Sequence, residues 1–221
     1  MKAMPGRIRI IGGDLRNSRL NVPDLPGLRP TSERVRETLF NWLAPTIAGV
    51  RALDLCAGTG ALGIEALSRG AAAVQFVEPE RAAADALRSN LTRLKAEGGD
   101  VAMTEAARFL QAAPRPFGLV FLDPPFVLQL WTPLAQQLEQ GGWLADAAQI
   151  YLESPRGLAL ALPRNWLPHR EGTRARCATR SIGAPERCPE PFWPSDMTFR
   201  RLADWISSVK LMLSQPALPP S

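Results

Sequence analysis

The stretch LDLCAGTGALG, residues 53–63, decides the fold that this sequence predicts. An apolar run leads into it, Gly58, Gly60 and Gly63 have the spacing G-x-G-x-x-G, and helix-forming residues follow. A strand, a glycine turn and a helix in this order bring backbone N–H groups close to a bound ligand. Strand-like and helix-like segments alternate from residue 51 to residue 154. We therefore expect an α/β fold with a mostly parallel sheet and helices on both of its faces.

Three acidic residues bear on which ligand the glycine turn binds, because the glycine pattern alone also fits NAD and FAD proteins. Asp54 ends a strand four residues before Gly58, where it would repel a pyrophosphate but attract a cationic amine. The methionine part of S-adenosylmethionine (SAM) carries such an amine. Glu78 ends the next strand, eighteen residues after Gly60, and could accept hydrogen bonds from ribose hydroxyls. Glu105 opens the third helix, where it either reaches the adenine amino group or is a solvated first-turn glutamate.

The turn DPPF, residues 123–126, ends the apolar strand FGLVFL, because proline has no N–H to donate to a sheet ladder. The fourth strand lies beside the first in such sheets, so this turn would face the ligand of the glycine turn. The Asp123 carboxylate and the Pro124 carbonyl could accept the two N–H hydrogens of an exocyclic amine, and Phe126 could stack on a flipped base. The alternative is a plain loop with Phe126 in the core.

The charges of the chain are unevenly distributed along the sequence. The net charge is +5, and it divides into +5 for residues 1–36, −4 for residues 37–163 and +4 for residues 164–201. Clustered arginines are typical of proteins that bind a polyanion such as nucleic acid. Ordinary solvated charge is the competing interpretation.

Other features disfavour several classes of protein. No apolar run approaches the roughly 18 residues of a membrane helix, and the first residues lack the apolar segment of a secretory signal. The three cysteines, Cys56, Cys177 and Cys188, are too widely spaced for a zinc motif, and an odd number of cysteines does not suit a disulfide framework. We expect a reduced, cytoplasmic monomer that needs no metal.

Taken together, these motifs resemble the RsmD family of bacterial 16S rRNA (guanine-N2)-methyltransferases. The resemblance covers most of residues 7–171, and its most family-specific segment is LRPTSERVRETLFNWL, residues 28–43. Further matching segments are RIIGG, LDLCAGTGALGIEALSRGA, FVEPE, DPPF, GGWLADAAQIYLES and LPRNW. The resemblance implies a Rossmann-like class I SAM-dependent methyltransferase with a short N-terminal extension. It implies methyl transfer from SAM to the N2 amine of a guanine in 16S rRNA or the small ribosomal subunit.

The resemblance also implies roles for individual residues. Asp123, the Pro124 carbonyl and Phe126 would be catalytic. The cofactor contacts would be Thr31, Asp54, Ala57, Gly58, Gly60, Glu78 and Glu105, although the family usually has aspartate at the last of these positions. The arginines near RNA would be Arg7, Arg16, Arg29, Arg34 and Arg36.

We divide the chain into a basic N-terminal strand and arm (1–30), a SAM-binding methyltransferase domain (31–171) and an atypical, poorly ordered C-terminal segment (172–221). After residue 171 the resemblance stops. The family closes its sheet with strands patterned G-x-V-x-Y-x-L-Y, whereas this chain reads GTRARCATRSIGAPERC. We hypothesise a reading-frame shift near codons 170–175, which translation of the neighbouring frames would test. The chain would then lack its last strand pair. The pattern of residues 199–213, taken by itself, could form a helix.

Two further functions fit the same motifs. The chain could be another amino-methyltransferase, acting on DNA adenine N6 or on a protein glutamine. It could also be an RNA-binding protein that keeps the methyltransferase fold without the activity.

Overall fold

The computed structural model describes residues 6–25, 31–155, 157–173 and 208–214. Two strands in this part of the chain form an antiparallel N-terminal hairpin, β1 (Gly6–Arg9) and β2 (Arg19–Val22). The strands of the main sheet are β3 (Arg51–Asp54), β4 (Ala73–Val77), β5 (Gly99–Ala102), β6 (Phe117–Leu122), β7 (Leu144–Pro155), β8 (Leu167–Thr173) and β9 (Ser208–Ser214). The α-helices are α1 (Glu33–Leu43), α2 (Ala61–Ser68), α3 (Arg81–Leu94), α4 (Ala106–Phe109) and α5 (Trp131–Gln140), and a short 3-10 helix spans Phe126–Leu128.

The main sheet confirms the expected α/β fold. Its strand order is β5-β4-β3-β6-β7-β9-β8, and the strands from β5 to β7 are parallel, whereas β9 runs antiparallel to both of its neighbours. The chain builds outward from β3 to β5 and then returns to place β6 on the other side of β3. Such a reversal opens a crevice at the carboxyl ends of β3 and β6, where sheets of this type bind ligands.

Both faces of the sheet are covered by other elements. Successive side chains of a strand point to opposite faces, so one strand can contribute to both buried clusters. Ala52 of β3 belongs to a buried cluster with the hairpin, α1, α2 and α3. Leu53, the next residue, belongs to a second cluster with α4 and α5. Phe121 and Leu122 of β6 divide between the two clusters in the same way. The hairpin is therefore packed on the first helix layer and completes its core.

The glycine turn is sterically required. Gly60 has φ +72°, a left-handed conformation that disfavours residues with a side chain. A Cβ at Gly60 would lie 2.2 Å from Leu87 Cδ1, and a Cβ at Gly63 would lie 2.2 Å from Phe76 Cε1. The spacing of these glycines thus lets α2 pack directly against β4 and α3.

A buried carboxylate joins the hairpin to the rest of the domain. Glu65 of α2 is fully buried and accepts hydrogen bonds from the backbone N–H groups of Ile11 and Gly12, each at 2.8 Å. It also accepts from Arg69 Nε at 2.9 Å and from the Arg36 guanidinium at 3.3 Å. Four donors around one carboxylate compensate its loss of water.

Arg36 completes this network from α1, and the prediction that it contacts RNA is wrong. Its guanidinium is fully buried and also donates to the backbone carbonyls of Arg9, at 2.8 Å, and Thr31, at 3.3 Å. Burial lowers the pKa of Arg36, and the charge of Glu65 opposes that shift. A guanidinium enclosed in this way cannot reach a phosphate, so Arg36 fixes the start of α1 instead.

The N-terminal segment also differs from its expected form. The chain returns as β2 where we expected an extended arm, and Leu20 and Val22 alternate inward to join the first core. Asn17, at φ 67°, helps to turn the chain back. Residues 26–30, including Arg29, lie outside the described residues.

The closing strands correct a second expectation. Residues 208–214 form β9, between β7 and β8, so the expected helix over 199–213 is wrong there and the strand pair is present. The reason is that β7 would otherwise offer an unpaired backbone edge, and pairing with it outweighs a weak helical pattern. Most of the atypical segment, residues 174–207 and 215–221, lies outside the described part of the chain. The division into three parts and the frame-shift hypothesis stay predictions.

None of the helices in the described part of the chain is both long enough and apolar enough to span a membrane.

We predict that Glu65→Gln lowers the free energy of unfolding by about 3–5 kcal/mol, because it leaves the Arg36 guanidinium buried without a counter-charge. Urea unfolding would measure this loss. The matched control is Glu33→Gln, which removes the exposed ion pair with Arg9, whose side chains are 49% and 51% exposed, and should change stability little. Equal effects of the two substitutions would contradict the assignment.

Candidate active site

The candidate site lies in the crevice at the carboxyl ends of β3, β4 and β6. The chain leaves β3 after Asp54 and makes a tight turn in which the Ala57 carbonyl accepts from the Gly60 N–H at 2.7 Å. The Ala57 N–H donates to the Val77 carbonyl at 3.0 Å, which ties the turn to the end of β4. The glycine turn is therefore held beside the first residue after β4, Glu78.

Asp54 is a buried carboxylate at the centre of this crevice. It is 3% exposed, and its Oδ2 accepts a hydrogen bond from the Gly63 N–H at 3.0 Å. Burial raises the pKa of Asp54 to about 7, although the bond from Gly63 favours the ionised form. No Lys or Arg of the described residues forms an ion pair with it. A buried acid in this state favours a ligand that brings a positive charge.

Glu78 clamps the glycine turn. It is 8% exposed, its Oε2 accepts from the Gly58 N–H at 2.7 Å, and its Oε1 accepts from the Glu80 N–H at 2.8 Å. Burial is the largest cause that raises the pKa of Glu78, and these two bonds oppose it. A carboxylate can accept about four hydrogen bonds, so the clamp leaves Glu78 able to accept from hydroxyl groups.

The DPPF turn follows β6 directly. Pro124 is buried and Asp123 is partly buried. Phe126 begins the 3-10 helix, and its ring lies 5.7 Å from that of Trp131 with a tilt of 53°. The indole Nε1 of Trp131 donates to the backbone carbonyl of Glu153 at 2.7 Å. Phe126 is thus partly buried against an anchored ring, which leaves part of its surface exposed.

The strand register brings acidic residues of three strands to one edge of the sheet, because Asp54 lies opposite Phe76 of β4 and Phe121 of β6, and Glu78 and Asp123 each follow two residues later. Burial is the largest cause that raises the pKa of Cys56, and the negative charges of Asp54, Asp123 and Glu78 raise it further, in that order. Asp54 is the last residue of β3, Glu78 directly follows β4, and Asp123 directly follows β6. The structure therefore brings the DPPF acid and the two acids of the glycine turn together.

The remaining predicted site residues lie at several places. Glu105 is exposed directly before α4, without a side-chain hydrogen bond to the helix N-terminus. Thr31 is partly buried at the start of α1. Arg7 and Arg16, in the hairpin segment, and Arg34 of α1 are all exposed.

Sequence reasoning missed Glu153, which directly follows the buried residues Tyr151 and Leu152 of β7. The Tyr151 hydroxyl donates to Glu153 Oε2 at 2.9 Å. The sequence feature that could have indicated Glu153 is an acid near the carboxyl end of β7, the strand next to β6. Among the described residues, no group of three or more His, Cys, Asp or Glu side chains could hold a metal ion.

Comparison with known proteins places the chain among methyltransferases. Residues 8–180 match the family model described as Conserved hypothetical protein 95. The chain is 50% identical over 177 residues to Ribosomal RNA small subunit methyltransferase D of Escherichia coli (strain K12), which covers 79% of this chain and 89% of that protein. It is 43% identical over 172 residues to the protein of the same name from Haemophilus influenzae, covering 76% of this chain and 89% of that protein.

Solved structures agree with this placement. Putative methyltransferase yhhF from Escherichia coli superposes with a TM-score of 0.76 and 40% identity, and the match covers 96% of this chain and 100% of that chain. SMU.776, a putative methyltransferase complexed with SAH, has a TM-score of 0.60 at 14% identity, with coverage of 87% and 52%, and supports the fold alone. The fold is that of Rossmann-like SAM-dependent methyltransferases, and the family match over residues 8–180 shows that the chain belongs to the RsmD family of rRNA methyltransferases.

Proposed function

We propose that this protein transfers a methyl group from SAM to the exocyclic N2 amine of a guanine in 16S rRNA. The observation that carries the proposal is the strand register, which sets Asp54 opposite Phe76 and Phe121 and so brings Glu78 and Asp123, each two residues further on, to the same edge of the sheet. Cofactor-type acids and an amine-accepting turn then share one crevice. Its relatives are named as small-subunit rRNA methyltransferases, which supports rRNA as the substrate. We further propose that the protein acts as a cytoplasmic monomer on the RNA or on the small ribosomal subunit.

The residues of the crevice fit SAM. A buried acid without an internal cationic partner suits a ligand with a positive amine, and Asp54 meets this description. Glu78 would accept from the ribose hydroxyls, while the glycine turn at Gly58 and Gly60 lets the backbone approach the ligand closely. Bound SAM supplies a methyl group activated by its attachment to a positive sulfur.

Asp123 and the Pro124 carbonyl would aim the amine at that methyl group. The lone pair of N2 is delocalised into the guanine ring, and two acceptors on its N–H hydrogens favour a pyramidal nitrogen with its lone pair exposed. With SAM bound, the new N–C bond would form as the C–S bond breaks, and the electron pair of that bond would stay on sulfur. The Asp123 carboxylate would stabilise the positive charge on the nitrogen, whose extra proton would pass to Asp123 or to water. Phe126 would stack on the base, which contributes roughly 1–3 kcal/mol.

Exposed arginines would hold the RNA backbone. Arg7 and Arg16 of the hairpin segment and Arg34 of α1 are exposed, as phosphate contacts require. Arg29 remains in the proposed set, although it lies outside the described residues. Thr31, Ala57 and Glu105 stay proposed cofactor contacts.

Two alternatives need the same experiment. The DPPF turn could accept the amine of DNA adenine or of a protein glutamine, and a binding protein could keep the fold without transfer. Labelled SAM is incubated with small ribosomal subunits lacking the modification, with naked 16S rRNA and with adenine-containing DNA. We expect label in N2-methylguanosine of the RNA. RNA binding without any transfer would favour the binding protein, and label in adenine would favour the first alternative.

We predict that Asp123→Ala lowers the rate of transfer at least roughly 10²–10³-fold, because one positioned acceptor is lost. SAM affinity, measured by calorimetry, should stay nearly unchanged. Asp85→Ala is the control, since it removes an exposed aspartate of α3 that pairs with arginines of the same helix. Near-normal turnover of Asp123→Ala would refute the proposed mechanism.

We also predict that SAM affinity weakens as the pH falls below about 7, the pKa to which burial raises Asp54. The ligand amine binds the ionised carboxylate, so below this pKa a proton must leave first, and the dissociation constant rises by up to tenfold per pH unit. Calorimetry between pH 5.5 and 7.5 measures the change. Asp54→Asn should bind weakly and lose this dependence, whereas a flat profile in the unmodified protein would count against the Asp54 contact.

A further inference from the structure

Glu153 lies beside Asp123 at the carboxyl edge of the sheet. Strands β6 and β7 are parallel neighbours with Leu122 opposite Leu152, and in each strand the next residue is an acid. Neighbouring strands are about 4.8 Å apart. The register thus brings Asp123, directly after β6, and Glu153, within β7, to neighbouring positions at this edge of the sheet.

Side-chain alternation predicts that both acids point to the same face of the sheet. Side chains alternate along a strand, so Asp123 shares a face with Phe121, and Glu153 shares a face with Tyr151. The rings of Phe121 and Tyr151 belong to the same buried cluster and contact each other with centroids 6.3 Å apart. This is also the face of α2, whose Gly63 N–H binds the Asp54 carboxylate.

Glu153 is held in place at its side chain and at its backbone. The buried Tyr151 hydroxyl donates to Oε2 at 2.9 Å. The Glu153 carbonyl accepts from the indole of Trp131, the ring against which Phe126 packs. Burial, then the charges of Glu153 and Asp123, raise the pKa of Tyr151, so its hydroxyl stays a donor at neutral pH. The carboxylate is partly exposed, and the bond from Tyr151 occupies one of its roughly four acceptor positions.

The edge of guanine that carries N2 offers a second donor next to it. The N1–H group and the N2 amine lie side by side, so guanine presents donors to two neighbouring acceptors. Adenine presents an unprotonated N1 beside its amine, and that lone pair would face a carboxylate. Enzymes that flip a base read it through hydrogen bonds to this edge.

We propose that Glu153 is a specificity-determining residue that accepts the N1–H of the target guanine while Asp123 accepts from the N2 amine. The inference rests on the proposed function, because it assumes a flipped guanine in the crevice. It adds the reason for choosing guanine, which the DPPF turn alone does not provide. Tyr151 is the positioning residue that orients the Glu153 carboxylate.

The test compares the unmodified protein and the Glu153→Ala variant on RNA with guanine and on RNA with a guanine analogue at the target position. Once the transfer assay has located the target guanine, that base is replaced in the RNA by 2-aminopurine, which keeps the 2-amino group but has no N1–H. The unmodified protein should prefer guanine in kcat/KM by roughly 10–100-fold, the effect of one hydrogen bond to a charged group. Glu153→Ala should lose most of this preference, because transfer to guanine falls and transfer to 2-aminopurine hardly changes.

Three further measurements separate recognition from structure. Glu153→Gln keeps the side-chain volume and should reduce the preference without changing SAM affinity or thermal unfolding. RNA affinity measured without SAM should show the same loss of preference for guanine in both variants. Glu139→Ala is the control, because this glutamate of α5 binds Asn165 and Trp166, and α5 packs on the opposite face. It should keep the full preference.

The outcomes are distinct. An equal fall on both bases would show that Glu153 only supports Tyr151, and an unchanged preference would show that another group reads N1–H; either result overturns the inference while leaving the proposed function intact. Transfer to neither base by the unmodified protein would overturn the proposed function, and this inference with it.

Discussion

The buried pair of Arg36 and Glu65 is the interaction on which the arrangement of the N-terminal half depends. Glu65 gathers donors from the hairpin, α1 and α2, and Arg36 returns bonds to the hairpin and to the start of α1. Such a pair adds little net stability, because two charges must leave water, but breaking it leaves an uncompensated buried charge. Its main effect is that only one placement of the hairpin satisfies every partner. The exposed Arg7 and Arg16 are therefore presented from a fixed surface.

The candidate site follows from a different arrangement, in which acids gather at one edge of the sheet. Asp54, Glu78 and Asp123 stand at the ends of three different strands. They lie close together because these parallel strands end at one edge of the sheet. Asp54 and Glu78 are buried, so keeping their carboxylates ionised costs free energy. A cationic cofactor removes that cost on binding. The buried acids therefore favour a positively charged ligand, whichever base is the substrate.

Much of this could be predicted from sequence because local sterics and alternation leave a direct record. Gly60 and Gly63 are required where α2 meets α3 and β4, and the prolines after Asp123 must end a strand. The prediction for Arg36 was wrong because the sequence does not show that an arginine is buried. Its burial depends on Glu65, a partner 29 positions away. Glu153 was missed because its position beside Asp123 depends on the pairing register of β6 and β7. Strand β9 was missed because its conformation depends on pairing with the edge of β7. Long-range pairing is the information that the one-dimensional pattern lacks.

The position of β9 has a consequence for synthesis of the protein. The strand that carries Glu153 ends at Pro155, but its second neighbour begins at Ser208, 53 residues later in the chain. At a translation rate of about 5–20 residues per second, the edge of β7 waits roughly 3–10 seconds for its partner. During that interval the nascent chain offers an unpaired strand to any other strand nearby. The completion of the sheet beside the candidate site is thus timed by the ribosome, the particle whose RNA this family modifies.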